Sequence, residues 1–363
     1  MNTERESCTS LGHFHMARGL GMVLILLGHS ITPFFRPDGT ETVRSLFSGA
    51  GSVLGGGMMA MFFMISGIGF FCRRPGKCIA TQTKLLLKPY YITAAAVLLT
   101  KALLALVKQR PFADHGAEYI LTYLLGLNAE GGGTLLGFPI ESVSIFWFIL
   151  ALYTAWLLFN SILRIKSRTA QMLLVTLCVT ASWLLTLVSD VWPFCLPIGL
   201  LSVGYLAFGY AIRQHQLLDR KLPFWCWAVI WSITLICAAF GGVSIVSCRW
   251  QLGLLDVAGS FCVGFLLMRL YHWFMSANRR GALLRLLEGV GLHSIWIVFL
   301  HGYEKVIFPW HKLLLLFPDR PVLCVCLCFL LRSAVIYGLY RLISALLRRL
   351  RGKRRPGKIT IEL

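Results

Sequence analysis

Charge is scarce in this sequence. Only 14% of its 363 residues are Asp, Glu, Lys or Arg, against roughly 25% in an ordinary soluble domain. These are too few to coat a water-facing surface of that size. Hydrophobic residues make up 57% and the mean hydropathy is +0.72. A soluble globular domain, a disordered chain and a fibre are excluded. Acidic residues are scarcest: 15 Asp and Glu stand against 35 Lys and Arg, a net charge of +20. On a soluble protein that surplus would suggest nucleic acid. In so apolar a chain it marks cytoplasmic loops instead, and no nucleic-acid partner is expected.

Paired cysteines and repeats are also missing. The 12 cysteines include no C-x-x-C pair, so neither a zinc site nor a redox motif is indicated. Cys178, Cys237, Cys262, Cys324, Cys326 and Cys328 lie inside apolar runs, as small hydrophobes do. The last three are spaced by two, so on a helix they point in different directions. The His13-x-His15 pair does not share a helix face either, and no metal is expected. No repeat of 20–50 residues occurs, which removes support for a repeat-built transporter. The first apolar run ends in Pro33-Phe34-Phe35-Arg36 rather than a small-x-small cleavage site. It reads as a retained membrane helix.

What is present is long apolar blocks of about 20 residues, enough to cross a hydrocarbon core of roughly 30 Å. They are continuous rather than alternating, which excludes a β-barrel. The predicted fold is all-α, a polytopic membrane helical bundle of about ten transmembrane helices. The expected spans are 15–35, 48–72, 85–107, 143–163, 170–189, 194–212, 222–243, 252–274, 286–308 and 320–347. Basic residues such as Arg73, Arg74, Lys77, Arg164, Lys166, Arg213, Arg220, Arg279 and Arg280 fall on one side of these crossings. Asp38, Glu41, Asp114, Glu118, Glu130, Asp190 and Asp319 fall on the other. That alternation places both termini in the cytoplasm. The expected organisation is a single membrane domain, 1–347, and a basic cytoplasmic tail, 348–363, lying against anionic lipid. The long outer loop 108–142 holds a short apolar stretch and then Glu130-Gly131-Gly132-Gly133, which predicts a re-entrant or interfacial helix with a glycine hinge.

Ionisable groups inside membrane spans are expensive and point to function. Arg18 and His29 are eleven residues apart on the first span, hence on one helix face and about 16 Å apart along the axis. That spacing suits a long substrate with an anionic head at Arg18 and a reactive end at His29, such as a coenzyme A thioester. A neutral imidazole there takes the proton of an attacking hydroxyl. The plainer alternative makes Arg18 a membrane-surface anchor and His29 a packed polar residue. Arg73, Arg74, Lys84 and Lys88 form a basic rim with Arg18, suited to phosphate or to lipid head groups. His301 and Glu304 share a face of the ninth span. Either Glu304 or Glu141 is placed to orient an imidazole. Ser66 reads first as a packing residue and second as a site residue. Trp147 reads as an interfacial aromatic or a sugar-stacking surface. His293, Arg332 and Asp256 read as structural partners.

These segments together resemble the acyltransferase-3 family of integral-membrane O-acyltransferases. The matching residues are Arg18 and His29 in an Arg-x10-His pattern, Phe62-Phe63-Met64-Ile65-Ser66-Gly67 before Arg73 and Arg74, and Lys84-Leu85 leading to Pro89-Tyr90. Trp147-Phe148 leads to Ala151-Leu152, and Gly291, Ser294 and His301 complete a late motif. The Lys-Pro-Tyr-Tyr form is similar to the fucose 4-O-acetylase-like branch. The resemblance implies an enzyme of the cell (inner or plasma) membrane. It implies transfer of an acetyl group from cytoplasmic acetyl-CoA, a co-substrate rather than a bound cofactor, to a hydroxyl of a sugar, envelope glycan or lipid-linked acceptor. His29, Arg18, Glu141 and His301 are then the catalytic candidates. Arg18, Arg73, Arg74, Lys84 and Lys88 are the acyl-donor candidates, and Ser66, Trp147 and Glu304 the acceptor candidates. Departures exist: Thr81-Gln82-Thr83 stands where relatives carry a more basic segment, and no esterase-like domain follows, which leaves room for an envelope-assembly partner protein. The rival reading is a non-catalytic permease or export subunit.

Overall fold

The computed structural model describes residues 3–34, 50–109, 113–135, 137–246, 248–277, 281–318 and 320–351. Asp38, Glu41, Arg279, Arg280, Asp319, and the tail from 352 lie outside the described residues. Thirteen helices are described here: α1 (Thr3–Ile31), α2 (Ala50–Ile68), α3 (Pro75–Gln82), α4 (Lys88–Val107), α5 (Ala113–Leu125), α6 (Trp147–Ile162) and α7 (Arg168–Val188), followed by α8 (Leu196–His215), α9 (Phe224–Phe240), α10 (Leu254–Ala277), α11 (Ala282–Leu292), α12 (Ser294–Ile307) and α13 (Pro321–Arg351). Two small antiparallel hairpins complete the fold: β1 (Asn128–Leu135) with β2 (Phe138–Ser142), and β3 (Val243–Ser244) with β4 (Arg249–Trp250).

Among the described residues, seven helical stretches are long and apolar enough to cross a membrane. An eighth is reached if α11 and α12, bent by 73°, count as one crossing. Each expected span therefore meets a helix. The second and seventh meet only shorter apolar ones, Leu54–Ile68 and Phe224–Phe240, so the fold is an all-α polytopic bundle in which, among the described residues, seven crossings meet the length criterion and the bent pair makes an eighth.

Local chemistry explains the departures. Pro197 lies in the first turn of α8, where its missing N–H was unpaired anyway. Phe194 and Cys195, with φ of 53° and 49°, turn the chain sharply just ahead of it. Pro75 likewise opens α3. Before Pro89 the helix widens into a π turn, Thr83–Leu87, and the Lys88 N–H reaches back to the Thr83 carbonyl. Proline cannot donate to residue i−4 and crowds that carbonyl, and widening relieves both. The outer loop corrects one expectation. Its helix is α5, but the glycine run forms strand rather than hinge. Gly133 pairs with Ile140 and Asn128 with Ser142, with a bulge between.

Glycines set the closest crossings. A Cβ on Gly67 of α2 would stand 2.2 Å from the Leu206 carbonyl oxygen, and one on Gly209 of α8 would stand 2.0 Å from that of Met64. Gly19 of α1 and Gly291 of α11 meet in the same way. Small residues are what let membrane helices approach at backbone distance. Around the α2–α8 crossing, Phe63, Tyr205 and Phe261 stack in the core, and the Tyr205 hydroxyl pairs with Ser260 at 2.6 Å. Asp256, fully buried, accepts the Leu252 N–H at 2.7 Å. It holds the turn before α10, the structural role expected of it.

Candidate active site

The bundle surrounds an open-sided cavity of about 1820 Å³. Of the expected site residues, Arg18, His29, Ser66, Arg73, Trp147 and His301 line it. Arg74, Lys84 and Lys88 are exposed and are not among the lining residues. Glu141 also lies away from it, on β2, where it pairs with Lys101 at 3.4 Å. The Lys101 ammonium itself sits 3.4 Å from the centre of the Tyr119 ring. That cluster ties α4 to the outer hairpin.

At one end of the cavity the imidazoles of His29 and His301 approach to 5.3 Å between ring centres. Behind His301 lies Glu304, fully buried. Its Oε1 accepts the His301 Nδ1–H at 2.5 Å, and its Oε2 accepts the Trp310 indole N–H at 2.5 Å. Arg332 Nη1 stands 3.8 Å from Oε1, with its guanidinium 5.3 Å from the Trp310 ring centre. With Glu304 ionised, its carboxylate only accepts, so Nδ1 carries the proton and Nε2 keeps its lone pair. His301 Nε2 has no hydrogen-bond partner among the described residues. Glu304 thus orients an imidazole rather than facing the cavity as an acceptor contact. Lys305, one residue on, does line it.

At the other end stand Arg18 and Arg73. Arg73 belongs to an irregular stretch after α2 that two residues hold in place. Asn160 of α6 accepts the Arg73 N–H at 2.8 Å and donates to its carbonyl at 3.0 Å. Arg213 donates to the carbonyls of Ile68 and Phe70 at 2.6 and 2.7 Å and lines the cavity itself. Neither residue was singled out from the sequence. Asn160 carried a signal, a lone amide in an apolar run. Arg213 was already accounted for as a loop cation. Ser66 lines the cavity, but its hydroxyl donates to its own helix, to the Phe62 carbonyl at 3.0 Å.

Such a chamber within a helical bundle defines a polytopic membrane protein with a large internal cavity lined by a few ionisable side chains. A family model, Acyl_transf_3, described as an acyltransferase domain, matches residues 13–349. The chain belongs to that acyltransferase-3 family, and it is therefore a membrane enzyme that transfers acyl groups rather than a permease. Neither the curated proteins nor the solved structures yield a match.

Proposed function

We propose that this acyltransferase moves an acetyl group from cytoplasmic acetyl-CoA to a hydroxyl of a sugar, envelope glycan or lipid-linked acceptor. It works in the cell (inner or plasma) membrane with both termini cytoplasmic. The observation that carries the reading is the two-ended cavity, with Arg18 and Arg73 at one end and the His29–His301 pair at the other. Pockets for one small ligand run to roughly 300–1000 Å³. At about 1820 Å³ this one has room for donor and acceptor together. The similarity of Lys88-Pro89-Tyr90-Tyr91 to the fucose 4-O-acetylase-like branch favours a sugar hydroxyl.

The residues divide the work. Arg18 and Arg73 bind the donor's phosphates, for which guanidinium forks are suited. Asn160 and Arg213 hold the Arg73 stretch in register. The thioester end lies near His29, about 16 Å further along α1. His29 takes the proton of the acceptor hydroxyl as its oxygen bonds to the acetyl carbonyl carbon. The carbon–sulfur bond then breaks, and the proton passes to the departing thiolate. His301, its Nδ1–H fixed on Glu304, offers its Nε2 lone pair beside the same proton.

The test is release of free CoA from acetyl-CoA by the protein in nanodiscs, with an envelope glycan extract as acceptor. His29→Ala is expected to lower the rate by about 10²- to 10⁴-fold with an unchanged melting profile. Wild-type turnover by His29→Ala would sink the reading.

A further inference from the structure

The cavity is not closed on every side. α1 packs chiefly on α11 and α13, and only lightly on α2. Leu24, Leu27, Gly28 and Ile31 form one stripe of α1 by their three- and four-residue spacing. Leu24 is 39% exposed and Leu27 36%, although both sit mid-span. Across from them α2 presents Leu54, 53% exposed, and Gly55. A Cβ added to Gly28 or to Gly55 meets nothing within 4 Å among the described residues. These six residues line the same cavity as His29 and His301. Other exposed leucines of the bundle, such as Leu99 at 62%, face outward without touching it. Among the described residues, the chamber therefore opens sideways, between α1 and α2, at the depth of the histidine pair.

Resting on the acyl-transfer reading, we propose that this slot is a side portal and chain groove for a lipid-linked acceptor. The hydrocarbon chain lies along Leu24, Leu27 and Leu54 while the attached sugar presents its hydroxyl to His29. The chemistry of the walls selects this occupant. A free glycan crossing the slot would lose its water against leucine and glycine, which return no hydrogen bonds. A second protein helix would fill the apolar part and leave the imidazole end unmatched. An amphipathic molecule matches both, its tail continuous with the bilayer and its polar end in reach of His29, His301 and Lys305.

The experiment compares two acceptors with one sugar, in nanodiscs: N-acetylglucosamine on a polyisoprenyl diphosphate, and its methyl glycoside. The wild type is expected to favour the lipid-linked form at least tenfold in kcat/KM. Leu54→Trp and Gly55→Trp are expected to bring that ratio near one, while Leu99→Trp keeps it. A wild-type ratio near one, or a ratio unmoved by the slot variants, overturns the portal. The same preparation is photo-cross-linked with an alkyl glycoside carrying a diazirine in its chain, which needs no turnover. Labelling concentrated on residues 24–31 and 54–59 supports the groove even when this sugar is not accepted. Labelling no stronger there than around Leu99 rejects it. Failure of the acyl-transfer reading shows separately, as CoA release that does not depend on His29.

Discussion

Glu304 shows how much one buried carboxylate can determine. Both its oxygens are committed, one to His301 and one to Trp310. Removing charge there changes which nitrogen of His301 carries the proton. Glu304→Gln keeps the volume and the acceptor for Trp310, but its amide no longer demands a proton on Nδ1. The expected result is a fall in kcat on the order of 10²-fold or more with little change in KM for acetyl-CoA, read in the CoA-release assay. A fall in KM-limited rate alone would mean that Glu304 serves binding instead. The sequence made part of this visible. Arg18 and His29 are legible because helical spacing alone puts them on one face, and both line the cavity. The spacing of His301 and Glu304 also pointed to their contact. What no local pattern carries is the pairing of Asn160 with Arg73, or of Trp310 and Arg332 with Glu304, because those contacts depend on how distant helices pack.

At the scale of elements, backbone crossings carry the assembly. The Gly19–Gly291 contact joins α1 to α11. A Cβ on Gly291 would fall 1.6 Å from the His15 carbonyl oxygen, and a backbone atom cannot rotate away. Gly291→Ala is expected to destabilise by at least about 1–3 kcal/mol, the usual range for overpacking. Gly289, on the same helix, has nothing within 4 Å of an added Cβ. Gly289→Ala is expected to be neutral or to gain up to about 1 kcal/mol from helix propensity. Thermal scans of the two variants in one detergent check the opposite signs. Elements were legible where hydropathy alone decides, and each expected span found a helix. The 131–133 glycines were read as a hinge because it is only pairing across a turn, Gly133 with Ile140 and Thr134 with Pro139, that makes this stretch a strand. The bend at His293 was likewise invisible, since α11 and α12 read as one apolar run.

For the whole molecule, the alternation of basic and acidic loops predicts an orientation that can be measured. Lys166 follows α6 on the side of Arg73, and Phe138, 65% exposed, tips the opposite hairpin. In a cysteine-free background, Phe138→Cys is expected to react with a membrane-impermeant maleimide on intact cells. Lys166→Cys should react only after permeabilisation. The reverse pattern would invert the proposed topology and put the arginine end outside, away from cytoplasmic acetyl-CoA. The count of crossings was less legible than the spans themselves, because the apolar parts of α2 and α9 are short for a bilayer and the α11–α12 crossing is bent.

The glycine crossing has a mechanical consequence. Ten residues lead from Gly19 along α1 to His29, and ten lead from Gly291 through the bend to His301. Any rocking of α1 on α11 about that crossing would move the two arms like the blades of shears with their rivet at the glycines. With His29 about 15 Å from that rivet, a rocking of about 5° would swing its imidazole by roughly 1 Å, a displacement large enough to cost about a hundredfold in rate. A change at that crossing would thus reset the gap between the two imidazoles from about 15 Å away.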